Sequence, residues 1–363
     1  MFDFFTGRAR FGNDAAEAVD AGTEAEDAVR GGAAPADSRV GDVPIEQAPI
    51  GETPLVRPAG PTLGLALGGG AARGFAHIGV LRALLNKGLK FDVIAGTSIG
   101  AMAGGCFAAG HLDAFEYWAR SLTRRRLFGY LDFSFAGSGL ISGARLAEHL
   151  NTTLGATTID ELPLRFAAIA TEIGTGHEIW LTRGRLADAL RASYSLPGVF
   201  APVRVGGRWL MDGALVNPVP VSACRALGAR VVVAVNLNAD LIGRGSTISS
   251  HGSDASDEPV LQIVPQQRGL RAMFTSERTI KRQFLGTDER PGFSTVMMEA
   301  FNIMQDRITR ARLAGDPPDV IINPRLGGVG LIDFHRAAEA IEIGAEATER
   351  ALDAIGEVIT ALG

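Results

Sequence analysis

Cysteine is almost missing from this chain: Cys106 and Cys224 are the only two among 363 residues. Two thiols cannot build a disulfide framework, which makes a reducing, cytoplasmic setting the expectation. Metal signatures are missing too. There is no His-Glu-x-x-His, no Cys-x-x-Cys and no EF-hand loop, and the six histidines are scattered, so the sequence asks for no metal and no cofactor. Long apolar runs are absent as well. Nothing approaches the ~20 apolar residues of a spanning helix, and Met1-Phe2-Asp3-Phe4-Phe5 is far too short for the apolar region of a signal peptide. Contact with membranes is then expected to be peripheral at most. A basic surplus is also lacking. The net charge is −5, and residues 1–60 hold eleven acidic residues against five arginines, which leaves a net +1 for the remainder. A nucleic-acid partner is excluded on that ground.

What is present is enough apolar material for one large core, 46% of the residues. Residues 13–60 are mostly Ala, Gly, Asp, Glu and Pro without aromatic or periodic apolar positions, so they cannot bury enough surface to offset the entropy of ordering. Residues 1–60 are therefore read as a disordered acidic arm. Within it, Phe2, Phe4, Phe5 and Phe11 beside Arg8 and Arg10 fit either a short interfacial anchor or an untethered, solvated start. Residues 61–363 are read as one α/β domain with a C-terminal helical covering region over about 265–363. Leu63–Leu67, Phe91–Ala95, Leu164–Thr171, Glu178–Leu181 and the β-branched Val231–Val235 read as strands. Phe75–Leu85 and Ile99–Ala109 read as the helices fed by the first two, which places two strand-turn-helix units side by side in a parallel sheet. Residues 240–258 read as a surface interruption rich in Gly, Ser and Asp. The stripes Phe293, Val296, Met297, Ala300, Phe301, Met304, Ile308 and Phe334, Ala338, Ile341, Ala345, Leu352, Ile355 repeat at helical spacing and are expected to face the core.

Two glycine-framed segments stand at the ends of the first two strands, Gly68-Gly69-Gly70-Ala71-Ala72-Arg73-Gly74 and Gly96-Thr97-Ser98-Ile99-Gly100. The second has the form of a nucleophile elbow: Gly96 and Gly100 permit a sharp strand-to-helix turn that thrusts the Ser98 hydroxyl outward. The first offers backbone N–H groups of Gly69, Gly70 and Ala71, with Ile99 assisting, to a developing oxyanion. It is no dinucleotide cradle, because the third glycine of Gly-x-Gly-x-x-Gly falls on Arg73, and no Gly-Lys-Ser/Thr follows. A serine nucleophile needs a base. The histidines after Ser98 are His111, His149, His177, His251 and His335, and none stands in a segment that reads as a poised loop.

Downstream lie Ser193-Tyr194-Ser195-Leu196-Pro197-Gly198-Val199-Phe200-Ala201-Pro202 and then Arg208-Trp209-Leu210-Met211 leading into Asp212-Gly213-Ala214. In this order, the glycine loop with its Arg-Gly, the Gly-x-Ser-x-Gly, the Ser-x-Pro-Gly-x-Phe segment and the Asp-Gly-Ala resemble the patatin-like phospholipase family, from about Leu63 to about Asn236. Residues 318–324 and 332–339 are similar to the ending of bacterial members related to the neuropathy target esterase catalytic domain. The resemblance implies a three-layer sandwich with a mainly parallel central sheet and covering helices. It also implies a Ser/Asp dyad in which Asp212, followed by Gly213, acts directly as base toward Ser98, and an acyl-ester substrate such as a phospholipid or lysophospholipid. Other acyl esters and thioesters, or a silent lipid-binding role, are the alternatives. Arg73 matches the family's loop arginine, with two readings: it orients the loop, or it approaches a phosphate head group. Finally, Arg268, Arg271, Arg278, Lys281 and Arg282 interleave with Leu270, Met273, Phe274, Ile280, Phe284 and Leu285, which fits a membrane-surface helix or a cap helix with a solvated basic face. Nothing in the sequence sets an oligomeric state.

Overall fold

The computed structural model describes residues 61–123, 126, 139–141, 143–240, 286–287, 290–291 and 293–362. All of them belong to one compact unit, Val56–Gly363. The expectations for residues 1–60, 241–258 and 267–285 lie outside the described residues.

The central sheet is built from β1 (Leu63–Leu67), β2 (Val93–Thr97), β3 (Arg165–Glu172), β4 (Glu178–Leu181), β5 (Val203–Val205), β6 (Arg208–Asp212), β7 (Val231–Val235) and β8 (Val320–Ile322). Its order is β8-β7-β1-β2-β3-β6-β5, with β4 paired to β3 off this path. The first five strands in that order run parallel, and β4, β5 and β6 add an antiparallel flank. Strands flanked on both sides and covered on both faces need apolar side chains throughout, which is why β1 and β7 read as unbroken apolar runs. The second strand begins at Val93 rather than Phe91, because Asp92 accepts the Leu63 N–H at 2.8 Å through its carboxylate and closes the sheet edge there.

The α-helices among the described residues are α1 (Ala76–Asn86), α2 (Ile99–Ala108), α3 (Leu112–Ser121), α4 (Ala144–Leu154), α5 (Leu186–Ser193), α6 (Val221–Ala226), α7 (Phe293–Gly315), α8 (Ala337–Glu349) and α9 (Leu352–Leu362). The sheet separates two cores. Leu65, Leu67, Ile94, Phe166, Val231 and Val233 pack with α1, α2, α3, α5 and α8 on one face. Ala66, Ala95, Ala167, Val232 and Ala234 meet Val221, Ala223 and Cys224 of α6 on the other, where the alanines let a short helix approach closely. This is the three-layer α/β architecture with a mainly parallel sheet. Cys106 and Cys224 are buried as free thiols on opposite faces of the sheet, and burial pushes both up to about 12. No helix among the described residues is long and apolar enough to cross a membrane.

One expectation is corrected. The residues 293–308 are helical, but their apolar stripe does not face the core: Val296, Met297 and Met304 are exposed, as is Ile303. The inward face of α7 is polar, with Gln305, Asp306 and Thr309 buried. The reason is location. This helix lies against Gly213–Leu215, where Gln305 accepts from Asn238 at 3.1 Å and Asp306 pairs with Arg310 of its own helix, and Leu313 near its end reaches the second core. Most of the second stripe turns inward, with Ile341 and Ile355 buried and Phe334, Ala345 and Leu352 half-buried, but Ala338 is exposed and its neighbours Ala337 and Ala340 face the core instead.

The crossing of α1 and α8 is set by glycine on both sides. A methyl group at Gly79 would collide with the Ile341 carbonyl and lie 2.7 Å from Ala345 N, and one at Gly344 would collide with the Ala76 carbonyl. Gly79→Ala should therefore lower unfolding stability by about 1–3 kcal/mol, measured by urea denaturation. Gly356→Ala in α9, where nothing lies within 4 Å, should be neutral or stabilising.

Candidate active site

Ser98 stands between β2 and α2 with φ 57° and ψ −124°, a left-handed backbone that a side chain rarely adopts. Its framing glycines serve close approach. A methyl group at Gly100 would strike the Leu67 carbonyl and come within 2.6 Å of the Gly68 carbonyl, and one at Gly96 would lie 2.5 Å from Ala101 N. The start of α2 is thereby pressed onto the end of β1, and the strained turn is held from below. Ser98 N–H donates to Ser193 Oγ at 2.9 Å, and that hydroxyl, fully buried, donates to the Ile169 carbonyl at 2.6 Å.

Sheet register brings in the carboxylate. Thr97 pairs with Ile169 and Asp212 pairs with Ala170, so Ser98 and Asp212 arrive at the same level on either side of β3. Ser98 Oγ donates to Asp212 Oδ2 at 2.6 Å, the length of a charge-assisted hydrogen bond. The other carboxylate oxygen accepts Ala214 N–H at 2.8 Å. The backbone of Asp212 is tied down as well: its N–H donates to the Ser195 carbonyl at 2.9 Å and its carbonyl accepts Thr171 Oγ1–H at 2.8 Å. Gly213 admits this turn because a methyl group there would collide with the Ile169 carbonyl. Asp212 is 1% exposed and no cation faces it among the described residues; burial pushes its pKa up to about 7, against the smaller opposing pull of the Ser98 and Ala214 hydrogen bonds. No imidazole bonds to Ser98 or Asp212 among the described residues. His149 stacks on Trp118, and His177 lies 3.7 Å from Glu172.

The glycine loop sits beside the hydroxyl: a methyl group at Gly69 would lie 3.6 Å from Ser98 Cβ and 3.4 Å from Ala214 Cβ. The three loop amides differ in availability. Gly69 N–H donates to the Pro218 carbonyl at 2.9 Å, which removes it as an oxyanion donor and corrects the sequence expectation. Gly70, Ala71 and Ile99 N–H have no partner among the described residues. Ala71 has φ 48°, so it shares the left-handed strain of Ser98. Arg73 is buried, its Nε–H donating to the Val329 carbonyl at 2.7 Å and its Nη1 lying 3.5 Å from Asn238 Oδ1. Burial lowers its pKa from the usual guanidinium value, opposed by the charges of Asp240, Glu299 and Asp333. Such a side chain braces the loop; it does not reach into solvent for a head group.

Residues 65–225 match the family model described as patatin-like phospholipase. An NTE family protein of Mycobacterium tuberculosis is 33% identical over 334 residues, spanning 81% of this chain and 92% of that protein. The chain belongs to the patatin-like phospholipase family. Patatin-like phospholipase domain-containing protein 7 of Rattus norvegicus is 34% identical over 201 residues, which cover 52% of this chain and 15% of that protein. Among solved structures, VipD from Legionella pneumophila aligns with a TM-score of 0.40 at 13% identity, covering 82% of this chain and 67% of that one.

For this patatin-like chain, sequence reasoning missed two supports, Ser193 and Asn238. Ser193 lies in the Ser-x-Pro-Gly segment, but nothing in the string says that its hydroxyl reaches Ser98 N–H. Asn238 follows the last residue of β7 by three positions and touches the loop only through the folding of the sheet.

Two outcomes test the site's physical state. Replacing Ser98 by Gly should give a protein about 1–3 kcal/mol more stable than Ser98→Ala, the reverse of the usual order, because only glycine relaxes at this φ; paired denaturation curves decide it. Asp212 binds its proton more tightly folded than unfolded, so stability is fully present below its unfolded pKa near 4 and is lost as pH rises toward about 7. Asp212→Asn should therefore be more stable than the parent at pH 8 and gain nothing at pH 4, measured by thermal melts across that range.

Proposed function

We propose that this protein is a serine acyl hydrolase that cleaves carboxylic esters of phospholipids or lysophospholipids through Ser98 and Asp212, releasing free fatty acid. The observation that carries this reading is the 2.6 Å hydrogen bond from a strained serine hydroxyl to a buried carboxylate. Membership in a family of lipid-ester hydrolases supports the substrate class.

Each residue has a defined task. Asp212 Oδ2 takes the proton as Ser98 Oγ attacks the ester carbonyl and a carbon–oxygen bond forms. A carboxylate in water is too weak a base for this; burial raises Asp212 toward the working pH, where a general base is most effective. The carbonyl oxygen becomes an oxyanion and is met by the free amides of Gly70 and Ala71, with Ile99 at the positive end of α2. Collapse breaks the bond to the leaving alcohol, which takes the proton from Asp212. Water repeats the cycle on the acyl-Ser98 ester, releasing the acid and restoring the hydroxyl. Because the base is a carboxylate already bonded to the nucleophile, no imidazole is needed to relay the proton.

The test is fatty-acid release from phosphatidylcholine and lysophosphatidylcholine, with intact mass after a fluorophosphonate probe. A single adduct is expected on the parent, and neither adduct nor release on Ser98→Ala. Asp212→Asn should lose roughly 10³-fold or more in kcat. A folded parent that takes no probe and releases no fatty acid overturns the reading, and release from acyl-CoA alone would reassign the substrate. In the parent, kcat/KM should rise with pH along one limb of apparent pKa near 7, since only ionised Asp212 accepts the proton; a flat profile between pH 5 and 8 would remove Asp212 as the base.

A further inference from the structure

The glycine loop consists of residues with little conformational preference of their own, so its amides keep a direction only if something holds the peptides. A trans peptide is planar, and its N–H points opposite its C=O, so anchoring a carbonyl aims the amide of the next residue. In this loop the carbonyls of Gly68, Gly69 and Gly70 each have an anchor. Arg73 N–H donates to the Gly70 carbonyl at 3.1 Å, and Asn238 Nδ2 approaches the Gly69 carbonyl at 3.4 Å. The shortest anchor belongs to His77, whose Nε2 lies 2.7 Å from the Gly68 carbonyl. The same peptide is held at its other end by Gly69 N–H on the Pro218 carbonyl at 2.9 Å, so its plane is fixed, and the preceding peptide is held by Gly68 N–H on the Val235 carbonyl at 3.1 Å.

His77 is the second residue of α1 and is completely buried. A carbonyl can only accept, so Nε2 carries the hydrogen. Nδ1 is then a bare acceptor, and it is buried with no partner among the described residues. An orphaned acceptor is a cost that an apolar side chain of similar size would avoid. Burial also lowers the ring's pKa to about 4, which keeps it neutral across the working range. The helix that carries it is locked to α8 through the Gly79 and Gly344 contacts, so the donor is mounted on a rigid element.

We propose that His77 is a positioning residue of the oxyanion loop: its imidazole fixes the Gly68–Gly69 peptide as the base of the loop, from which Asn238 on the Gly69 carbonyl and Arg73 N–H on the Gly70 carbonyl aim the Gly70 and Ala71 amides as charge develops on the substrate. This rests on the acyl-hydrolase reading above. Holding an amide's direction matters in the transition state, where the charge is greatest, and little in the ground state. The effect belongs in kcat and not in KM.

The experiment compares parent, His77→Leu and His77→Gln on p-nitrophenyl butyrate, together with inhibition by a trifluoromethyl ketone that forms a tetrahedral adduct on the serine. His77→Leu should lower kcat by roughly 10- to 100-fold and leave KM within about twofold, with ketone affinity falling in step with kcat/KM. His77→Gln, whose amide nitrogen reaches as far as Nε2, should recover most of the loss. Nitrogen-15 histidine spectra of the parent give an independent reading that needs no variant to fold: a neutral, Nε2-protonated ring at pH 7 is expected, and an Nδ1-protonated or cationic ring overturns the proposal. An active parent with His77→Leu unchanged in kcat overturns it alone. A folded but inactive parent overturns the hydrolase reading, and this proposal with it.

Discussion

A buried carboxylate with no cation beside it among the described residues is the constraint around which this protein is organised. Asp212 is sealed under the sheet edge, held by two hydrogen bonds and by its own tethered backbone. Burial without a compensating charge is unfavourable for an ionised group, and the structure retains it at the position where a serine hydroxyl arrives. The same burial that weakens the fold at alkaline pH raises the Asp212 carboxyl to about 7. Stability and protonation are coupled here through one pKa.

The backbone at Ser98 carries a comparable cost. Ser98 occupies a conformation suited to glycine, and Ala71 in the facing loop does likewise. Strain of this kind persists only where the surroundings over-determine it. Here the surroundings are Gly96 and Gly100, which let α2 press on the end of β1, and the buried Ser193 hydroxyl, which joins Ser98 N–H to the Ile169 carbonyl. The rigid helices behind, crossed at Gly79 and Gly344, keep the pieces from relaxing apart.

The helix α7 shows how location overrides pattern. Its apolar residues repeat at helical spacing as a core helix would, yet Val296, Met297 and Met304 face outward while Gln305 and Asp306 face in. Asn238 donates to Gln305 Oε1 at 3.1 Å, and Arg312 reaches Glu178 at 2.8 Å, so the helix is joined to the site edge by polar contacts. Periodicity reports that two faces differ. Which face turns inward depends on what the neighbouring loops offer, and that is a property of the assembled edge.

Much was legible in the string. The strands Glu178–Leu181 and Val231–Val235 have the bounds that their apolar and β-branched composition indicates, and the elbow and the Asp-Gly-Ala stood out because sharp turns and close approach admit few residues. Local sequence also determined which residues are chemically able to act, since a serine between small residues after a buried strand has few structural uses. Tertiary structure alone decided that Ser98 and Asp212 meet across β3, because strand register is a pairing between distant segments. It decided that Gly69 N–H is turned to Pro218 while the Gly70 and Ala71 amides have no partner among the described residues, and that a histidine upstream of Ser98 stands behind the loop. Hydrogen-bond direction depends on which carbonyl lies within 3 Å once the chain has closed on itself, and no spacing along the sequence encodes that.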